Sequence, residues 1–364
     1  NLGSYHPDLI TFLTILSDVY SAQGFYEKEE KLLERALEIT EKAFGKNHTN
    51  KFLILDRLAS NNLSQNKYEK SISLLENSLR LQFRFIRREA ALIPLSRRSE
   101  FVDSFGYAYE RAFSFAEKDS KGKELALFSR INKQGLLQEI EKRQANIFDL
   151  DQSNKDIIDK IKILTTQISK SDLNLDEREK LLFEKEKLEE KLYSLLPEIQ
   201  DEVVEVADIA SVIPNKGILI EFQKYEPFEE NEWKDPRYLS LILEPINTPI
   251  NVSGKLKNYK IHVKDLGPAS LIDDQIKKSL IATENIDKDA INSWNKVGDL
   301  VIKPLQEYIS NAKTIYISPD GEINRIPFYL LNSYDEKILL GKTKKIIKLT
   351  TGRELLELAQ NTKI

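Results

Sequence analysis

Histidine and cysteine, the residues that most often carry nucleophilic and metal chemistry, are scarce in this chain. Its 364 residues include no cysteine and three histidines, His6, His48 and His262. The absence of cysteine excludes disulfides, thiolate metal sites and cysteine nucleophiles. The histidines lack metal-ligand spacing, and His262 lies in the alternating segment YKIHVK, as expected of a strand histidine that is either exposed or satisfied by an ordinary partner. We therefore predict no metal site and no catalytic residue in this chain.

One segment is the best candidate for a functional site. The sequence has no GxxxxGK[ST] or GxGxxG phosphate loop and no GxSxG nucleophile elbow, so we predict no cofactor. The segment SPDGEINRIPF stands out at 318–328. We expect Asp320 and Gly321 to form a turn, and Pro327 and Phe328 to shape the next segment against the core. Arg325 is either a substrate-pocket residue or a surface charge, and we favour the surface charge.

Charge and hydropathy exclude several classes of partner. Lys and Arg number 54 against 58 Asp and Glu, a net charge of −4 that disfavours nucleic acid and anionic membranes as partners. No run of 18 apolar residues occurs, and the first residues lack the basic and apolar regions of a signal peptide. We expect a cytoplasmic chain that begins at Asn1 after processing or is a fragment of a longer protein, because it contains no methionine.

The chain changes character near residue 200. Three of its twelve prolines lie in residues 1–200 and nine in residues 201–364. The first part has the 3.6-residue periodicity of stacked helices, whereas the second alternates strand-like runs with turns and helical patterns. This length predicts two to three domains. We predict an α then α/β architecture divided into residues 1–90, 91–200 and 201–364.

A 42-residue repeat occupies the first of these sections. A fixed period of this length indicates a helix–turn–helix unit that buries its apolar face against its neighbours. The pattern predicts helices over about 8–22, 25–43, 50–64 and 67–88, with Gly or Asn in the tight turns. The offset pairs His6 with His48, Leu16 with Leu58, Gly24 with Asn66, Tyr26 with Tyr68, Leu33 with Leu75, and Leu37 with Leu79.

This unit resembles the tetratricopeptide repeat in its long form, over residues 5–88. The resemblance implies a protein or peptide partner that binds through the repeats, in their concave groove. Three positions depart from the family pattern: Glu29 and Ser71 stand where alanine is usual, and Asn62 replaces an aromatic residue. The departures suggest degenerate or terminal repeats.

Residues 83–146 continue as helices without a clear repeat. We interpret an aromatic stripe in this section as core packing: Phe101, Phe105, Tyr109, Phe113 and Phe115. We interpret the densest basic patch as a solvated helix face with local ion pairs, with a partner-binding surface as the alternative: Arg84, Arg87, Arg88, Arg97 and Arg98.

Residues 153–196 are predicted to form an antiparallel helical hairpin with its turn at 169–174. Apolar residues at helical spacing would join the two arms: Ile161, Leu164 and Ile168 on one side, and Leu181, Leu188 and Leu192 on the other. We interpret the hairpin as a linker that braces one domain on the other. A dimerising coiled coil is the alternative, although each arm spans barely three heptads.

The last section contains five strand-like runs, at 217–224, 238–243, 259–264, 313–318 and 344–349. Helical patterns at about 270–283 and 287–310 separate the third run from the fourth. The second helical pattern places Ile291, Trp294, Val297 and Val301 on one face. The last two strand runs are near-continuously apolar, which predicts central strands with a neighbour on each side.

Several segments here follow one another in a recognisable order: YEPF at 225–228, PRYL at 236–239, DLGPA at 265–269, SPDGEINRIPFYLL at 318–331 and TTGREL at 350–355. Together they resemble the N-terminal half of a CHAT domain, a caspase-like protease family that occurs with tetratricopeptide repeats in bacteria, here of the cyanobacterial type. The resemblance implies an incomplete caspase-like α/β domain with a catalytic His and Cys beyond the TTGREL segment. It assigns no catalytic residue here, and Asp320, Gly321, Arg325, Pro327 and Phe328 are family-motif positions that are structural or line a substrate pocket.

Two functions follow as expectations. In the first, the chain is part of a CHAT cysteine peptidase whose repeats bind a protein partner and control the protease. In the second, it is a non-catalytic scaffold for protein–protein interaction. A His-Gly strand end and a later Cys downstream of Ile364 would favour the first.

Overall fold

The computed structural model describes residues 5–45, 48–150, 154–168, 175–195, 203–229, 232–252, 254–333 and 338–361. Helices occupy the chain as far as residue 212, and a helix-flanked sheet follows. The helices before the sheet are α1 (Asp8–Ala22), α2 (Tyr26–Phe44), α3 (Thr49–Ser64), α4 (Tyr68–Ala90), α5 (Leu95–Asp103), α6 (Gly106–Ser114), α7 (Ser120–Lys133), α8 (Leu136–Leu150), α9 (Lys155–Ile168), α10 (Leu175–Leu195) and α11 (Val206–Val212).

The remaining elements alternate strands with helices. The strands are β1 (Gly217–Tyr225), β2 (Phe228–Glu229), β3 (Glu232–Trp233), β4 (Arg237–Val252), β5 (Lys255–Pro268), β6 (Thr314–Ser318), β7 (Asn332–Ser333), β8 (Ile338–Leu339) and β9 (Lys345–Lys348). The helices are α12 (Ala269–Glu284), α13 (Ala290–Val301), α14 (Gln306–Ile309), α15 (Leu340–Thr343) and α16 (Glu354–Asn361).

Helices α1 to α4 form two helical hairpins, as the 42-residue repeat predicts. Their bounds agree with the predicted helices within about two residues, the usual uncertainty of a helix end. Gly24 and Asn66 lie in the two turns with φ of +73° and +58°, the left-handed conformation that ends a helix. Leu33 and Leu75, equivalent in the repeat, are both fully buried. The repeat therefore fixes both the local turns and the packed face.

The polar departures from the repeat pattern lie inside the stack. Glu29 is buried and accepts a hydrogen bond from the Asn61 amide at 2.8 Å, which joins α2 to α3. The Ser71 hydroxyl donates to the carbonyl of Ala59 at 2.7 Å, and the buried Asn62 amide donates to the carbonyl of Leu58 at 2.8 Å. Each residue gains a hydrogen bond in place of the apolar contact that the family pattern would give.

Helices α5 to α8 continue the array. The aromatic stripe is core, as predicted: Tyr109, Phe113 and Phe115 are buried, and Phe101 and Phe105 pack against a neighbouring cluster. The solvated interpretation of the basic patch is wrong for two of its five arginines. Arg87 and Arg98 are buried, because they lie on the faces of α4 and α5 that pack on other helices, whereas Arg84, Arg88 and Arg97 are exposed.

Helices α9 and α10 pack against each other as the predicted hairpin, whose turn at 169–174 lies outside the described residues. Leu192 is buried and Leu188 half-buried. The hairpin is fastened to α5, because Glu186 accepts from the Ser96 hydroxyl at 2.6 Å and Glu189 accepts from the backbone amide of Leu95 at 3.2 Å. The bracing role remains a prediction, with its anchor now located on α5.

The five predicted strand runs are the five strands of one sheet, in the order β5-β4-β1-β6-β9. β1 is antiparallel to β4 and parallel to β6, and β6 is parallel to β9. β6 has a neighbour on each side, as predicted, whereas β9 is an edge strand among the described strands. The β4–β5 hairpin is longer than predicted, because it passes the irregularity between Pro245 and Ile250 and continues to its turn.

Alternate residues of β1 face two helical layers. Ile218, Ile220 and Phe222 pack in a cluster with α12 and α13. Leu219 and Tyr225 point to the opposite face and share a cluster with α4, α6, α7 and α11. The predicted face of α13 is correct for Val297 and Val301 but wrong for Ile291, which is exposed in the first turn of the helix. Helices that continue the repeats thus supply one of the two layers that cover the sheet.

The seam of the α9–α10 hairpin gives a stability prediction. Leu192 is 1 % exposed, so Leu192→Ala should lower the free energy of unfolding by about 2–5 kcal/mol through lost burial and the cavity left behind. Leu188→Ala, at a half-buried position of the same helix, should lower the free energy of unfolding by a clearly smaller amount. Urea unfolding with an unchanged m-value measures both. Equal costs for the two variants would contradict the packing described here.

Candidate functional site

The junction between the helical array and the sheet is built around Arg130 of α7. This side chain is fully buried, and it reaches the sheet through all three guanidinium nitrogens. Nε donates to Glu221 at 3.1 Å, one terminal nitrogen donates to Gln223 at 3.2 Å, and the other donates to the carbonyl of Pro319 at 3.1 Å. A planar guanidinium suits such a site because its donors diverge in fixed directions.

Glu221 of β1 is the counter-charge of Arg130, and it is also fully buried. Its second carboxylate oxygen accepts from the backbone amide of Gly352 at 2.6 Å and from the Thr351 hydroxyl at 3.4 Å. A side chain at position 352 would meet Leu219 at 2.5 Å and the Glu221 carboxylate at 3.1 Å, so glycine permits this close approach. Burial opposes the charge on Arg130, but Glu221 and Asp320 outweigh it and raise the pKa of the guanidinium. Arg130 is therefore held as a cation.

A second, outer layer of the junction involves Arg353. Its guanidinium donates to Asn132 at 3.1 Å and to Glu139 at 3.1 Å. The other oxygen of Glu139 accepts from Arg87 at 3.0 Å. These contacts join α4, α7 and α8 to the segment that follows β9. A cleft of about 630 Å³ lies beside them, and its Lys142 and Glu357 pair with each other at 2.5 Å.

The predicted site residues do not form one site. Asp320 accepts from the backbone amide of Lys224 at 2.8 Å and lies 3.8 Å from Arg130, at the junction. Gly321 has φ of +53°, and a side chain there would meet the Tyr238 hydroxyl at 2.4 Å.

The other three predicted residues lie elsewhere. Phe328 is buried on the opposite face of the sheet, where its ring stacks on Phe222 with centroids 6.0 Å apart, and Pro327 precedes it at a half-buried position. Arg325 is exposed and pairs with Glu322 at 3.1 Å. In this structure Phe328 makes a core contact and Arg325 forms a surface ion pair.

The histidines have ordinary partners. Nε2 of His262 lies 2.9 Å from Glu244, and its ring stacks on Tyr308. His48 stacks on Phe44, and Nδ1 of His6 accepts from the backbone amide of Asp8 at 3.3 Å. Within the described part of the chain, no cluster of three or more His, Asp or Glu side chains is placed to hold a metal ion.

The comparisons with known proteins address the N-terminal helices. The tetratricopeptide repeat family matches residues 6–82, which contain α1 to α3 and most of α4. This part of the chain is therefore similar to tetratricopeptide repeats. No curated protein matches the chain. Such repeats are in general protein–protein interaction modules, and in this chain the last repeat helix, α4, belongs to the junction through Arg87 and through Phe83, whose ring lies 6.0 Å from that of Phe128.

Sequence reasoning missed Arg130 and Glu221. Each is the single charge within an otherwise uncharged run, GILIEFQ at 217–223 for Glu221 and LALFSRIN at 125–132 for Arg130. Two opposite charges in two such runs are a usable signal of a buried pair, because a lone buried ion is too costly to keep. No helix in the described part is long and apolar enough to cross a membrane.

The buried ion pair makes a testable prediction. Arg130→Met leaves the Glu221 carboxylate buried without its cation, and the free energy of unfolding should fall by about 3–5 kcal/mol. Arg130→Met combined with Glu221→Leu removes both charges and should recover a large part of that loss. Urea unfolding of wild type, both single variants and the double variant measures the coupling. A double variant that loses the sum of the two single losses would show that the two residues do not act as a pair.

Glu110 of α6 gives the junction a pH dependence. Burial raises the pKa of this carboxyl to about 7 from an ordinary 4.5, although Lys133 of α7 and the backbone amide of Glu226 act in the opposite direction. The unfolded chain ionises Glu110 near its ordinary pKa, so the folded state binds the extra proton. The stability that this group contributes is therefore fully present below pH 4.5 and is lost as the pH rises through about 7.

The variant Glu110→Gln should remove this pH dependence. Wild type should lose up to about 3 kcal/mol relative to Glu110→Gln between pH 4.5 and pH 8. Thermal unfolding of both proteins across this range measures the difference, with Glu117→Gln, an exposed carboxylate in the loop after α6, as the matched control. Parallel stability curves for wild type and Glu110→Gln would contradict the assignment.

Proposed function

We propose that this chain is a repeat-based regulator in which the tetratricopeptide repeats bind a protein partner and control an α/β domain of the caspase-like CHAT type. The observation that carries the proposal is the continuous core. Buried residues of α3 and α4 share one cluster with α7 and with strands β1 and β4. A partner on the repeats therefore acts on helices that cover the sheet directly.

The repeats present a specific surface for such a partner. Phe12 and Leu16 of α1 are 64 % and 43 % exposed, and Ile15 and Val19 continue the same stripe. Their equivalents 42 residues later, Ile54 and Leu58, are each 2 % exposed because they pack in a cluster with α2. The repeat geometry therefore indicates that the stripe of α1 accepts an amphipathic helix that packs as α2 packs on α3.

A non-catalytic scaffold is the second candidate function. The chain contains no cysteine, so it holds no thiolate of its own for protease chemistry. Both candidates use the same partner surface, and they differ in what the α/β domain does once the partner is bound.

A labelled peptide with the sequence of residues 26–44 serves as a surrogate partner helix. It should bind the wild-type chain, and Phe12→Ala combined with Leu16→Ala should weaken binding at least tenfold, because two large apolar side chains lose their contact. Leu53→Ala, at an exposed apolar position on α3, is the control and should bind as wild type does. Fluorescence anisotropy measures the affinities. Equal affinity of the peptide for the wild type and the double variant would show that the stripe of α1 is not the binding surface. A dimer abolished by Phe12→Ala would identify a second copy of the chain as the occupant of that stripe.

A further inference from the structure

A second cavity lies at the carboxyl end of β1, away from the repeats. It has a volume of about 520 Å³, opens to solvent, and is bounded by the end of β1, the β2–β3 pair, the first residue of β4, the last part of β5 and the loop after α6. Ligands in open α/β sheets commonly bind beyond the carboxyl ends of strands. We call it the Tyr225 pocket, after the residue that ends β1 and lines the cavity.

Tyr225 is a buried polar residue whose hydroxyl has no hydrogen-bonding partner in the described part of the chain. Its side chain is 7 % exposed, and its hydroxyl makes no hydrogen bond to any residue in the described ranges. The ring packs against Phe113, with centroids 5.9 Å apart, which fixes its orientation. A hydroxyl at the wall of a cavity that has no partner among the described residues is available to a ligand.

The pocket carries an excess of negative charge. Glu117, Glu229 and Asp235 line it and form no ion pair with another described residue. Asp265 also lines it and is held by Arg237, and Lys234 of the same lining pairs with Glu232 at 3.1 Å. Burial, followed by Asp265 and Glu117, raises the pKa of the Tyr225 phenol, so these carboxylates act on the hydroxyl.

One wall of the pocket is aromatic. Trp233 is half-buried and packs edge-on against Phe228 with ring centroids 4.9 Å apart. A ligand that combines positive charge, several N–H donors and a flat face satisfies all of these features, because it donates to the phenol oxygen, neutralises the carboxylates and stacks on the indole. A guanidinium group has each of these properties.

We propose that the Tyr225 pocket binds the guanidinium of an arginine side chain in a partner protein or peptide. Tyr225 accepts a hydrogen bond from the guanidinium, Trp233 provides the stacking surface, and Glu117 and Asp235 supply the opposing charge. This site is separate from the α1 stripe and does not depend on the function proposed for the repeats.

The experiment uses the fluorescence of Trp233 itself. The chain has two tryptophans, and Trp294→Phe leaves Trp233 as the single reporter. Titration with N-acetyl-arginine amide should give a saturable change in emission that weakens with added salt. N-acetyl-lysine amide should bind more weakly, and N-acetyl-norleucine amide should give no saturable change.

Two variants assign the interaction in the Trp294→Phe background. Tyr225→Phe should weaken binding of the arginine probe about tenfold, since it removes one hydrogen bond to a charged group and leaves the ring packing in place. Glu117→Gln, at an exposed position, should weaken binding without affecting the fold. Asp274→Asn, an exposed carboxylate on α12, should bind as the parent does.

Three results would overturn the proposal. One is the absence of a saturable change with the arginine probe, and another is equal affinity for the arginine and lysine probes, which would remove the guanidinium assignment. The third is unchanged affinity in Glu117→Gln, a variant whose fold circular dichroism can verify independently of Tyr225→Phe.

Discussion

The ion pair between Arg130 and Glu221 is the constraint on which the rest of the architecture depends. Removing two charges from water is expensive, and their mutual attraction offsets that cost only where geometry is good and every remaining donor and acceptor is used. Arg130 meets this condition with Glu221, Gln223 and the carbonyl of Pro319, and Glu221 meets it with Gly352. The position of α7 over β1, β6 and the segment after β9 is therefore fixed by hydrogen-bond directions as well as by apolar contact.

This constraint extends to the tetratricopeptide repeats. Helix α4 ends one repeat and also carries Arg87, which pairs with Glu139, the same carboxylate that holds Arg353. Rotation of α4 would break this contact and move Phe83 away from Phe128 in the shared core. Packed cores deform in discrete steps, because their side chains interlock at high density. The repeat stack is thus continuous with the covering layer of the sheet.

Local sequence patterns were sufficient to predict the helices and strands, but they did not predict the contacts at the junction between the helical array and the sheet. The repeat predicted α1 to α4 because each turn carries its own signal in Gly24 or Asn66. The five strand runs predicted the sheet because each has an apolar or alternating pattern within its own length. Arg87 and Arg98 look like surface residues in sequence, and only the packing of separate helices buries them. The contact between Arg130 and Glu221 spans 91 positions, so no local period contains it.

The same junction explains two sequence motifs of the α/β section in physical terms. The segments SPDG and TTGR lie at the ends of β6 and β9, and each supplies hydrogen-bonding groups to the pair of Arg130 and Glu221. The Ser318 hydroxyl donates to the carbonyl of Thr350 at 2.9 Å, the carbonyl of Pro319 accepts from Arg130, and the amide of Gly352 donates to Glu221. The guanidinium reaches acceptors on β1 and beyond β6 at the same time. A lysine at position 130 would have a single ammonium group and could not do so. These segments therefore provide hydrogen-bonding partners for a buried ion pair whose arginine comes from the helical layer. This structural role does not depend on whether the sheet carries out catalysis.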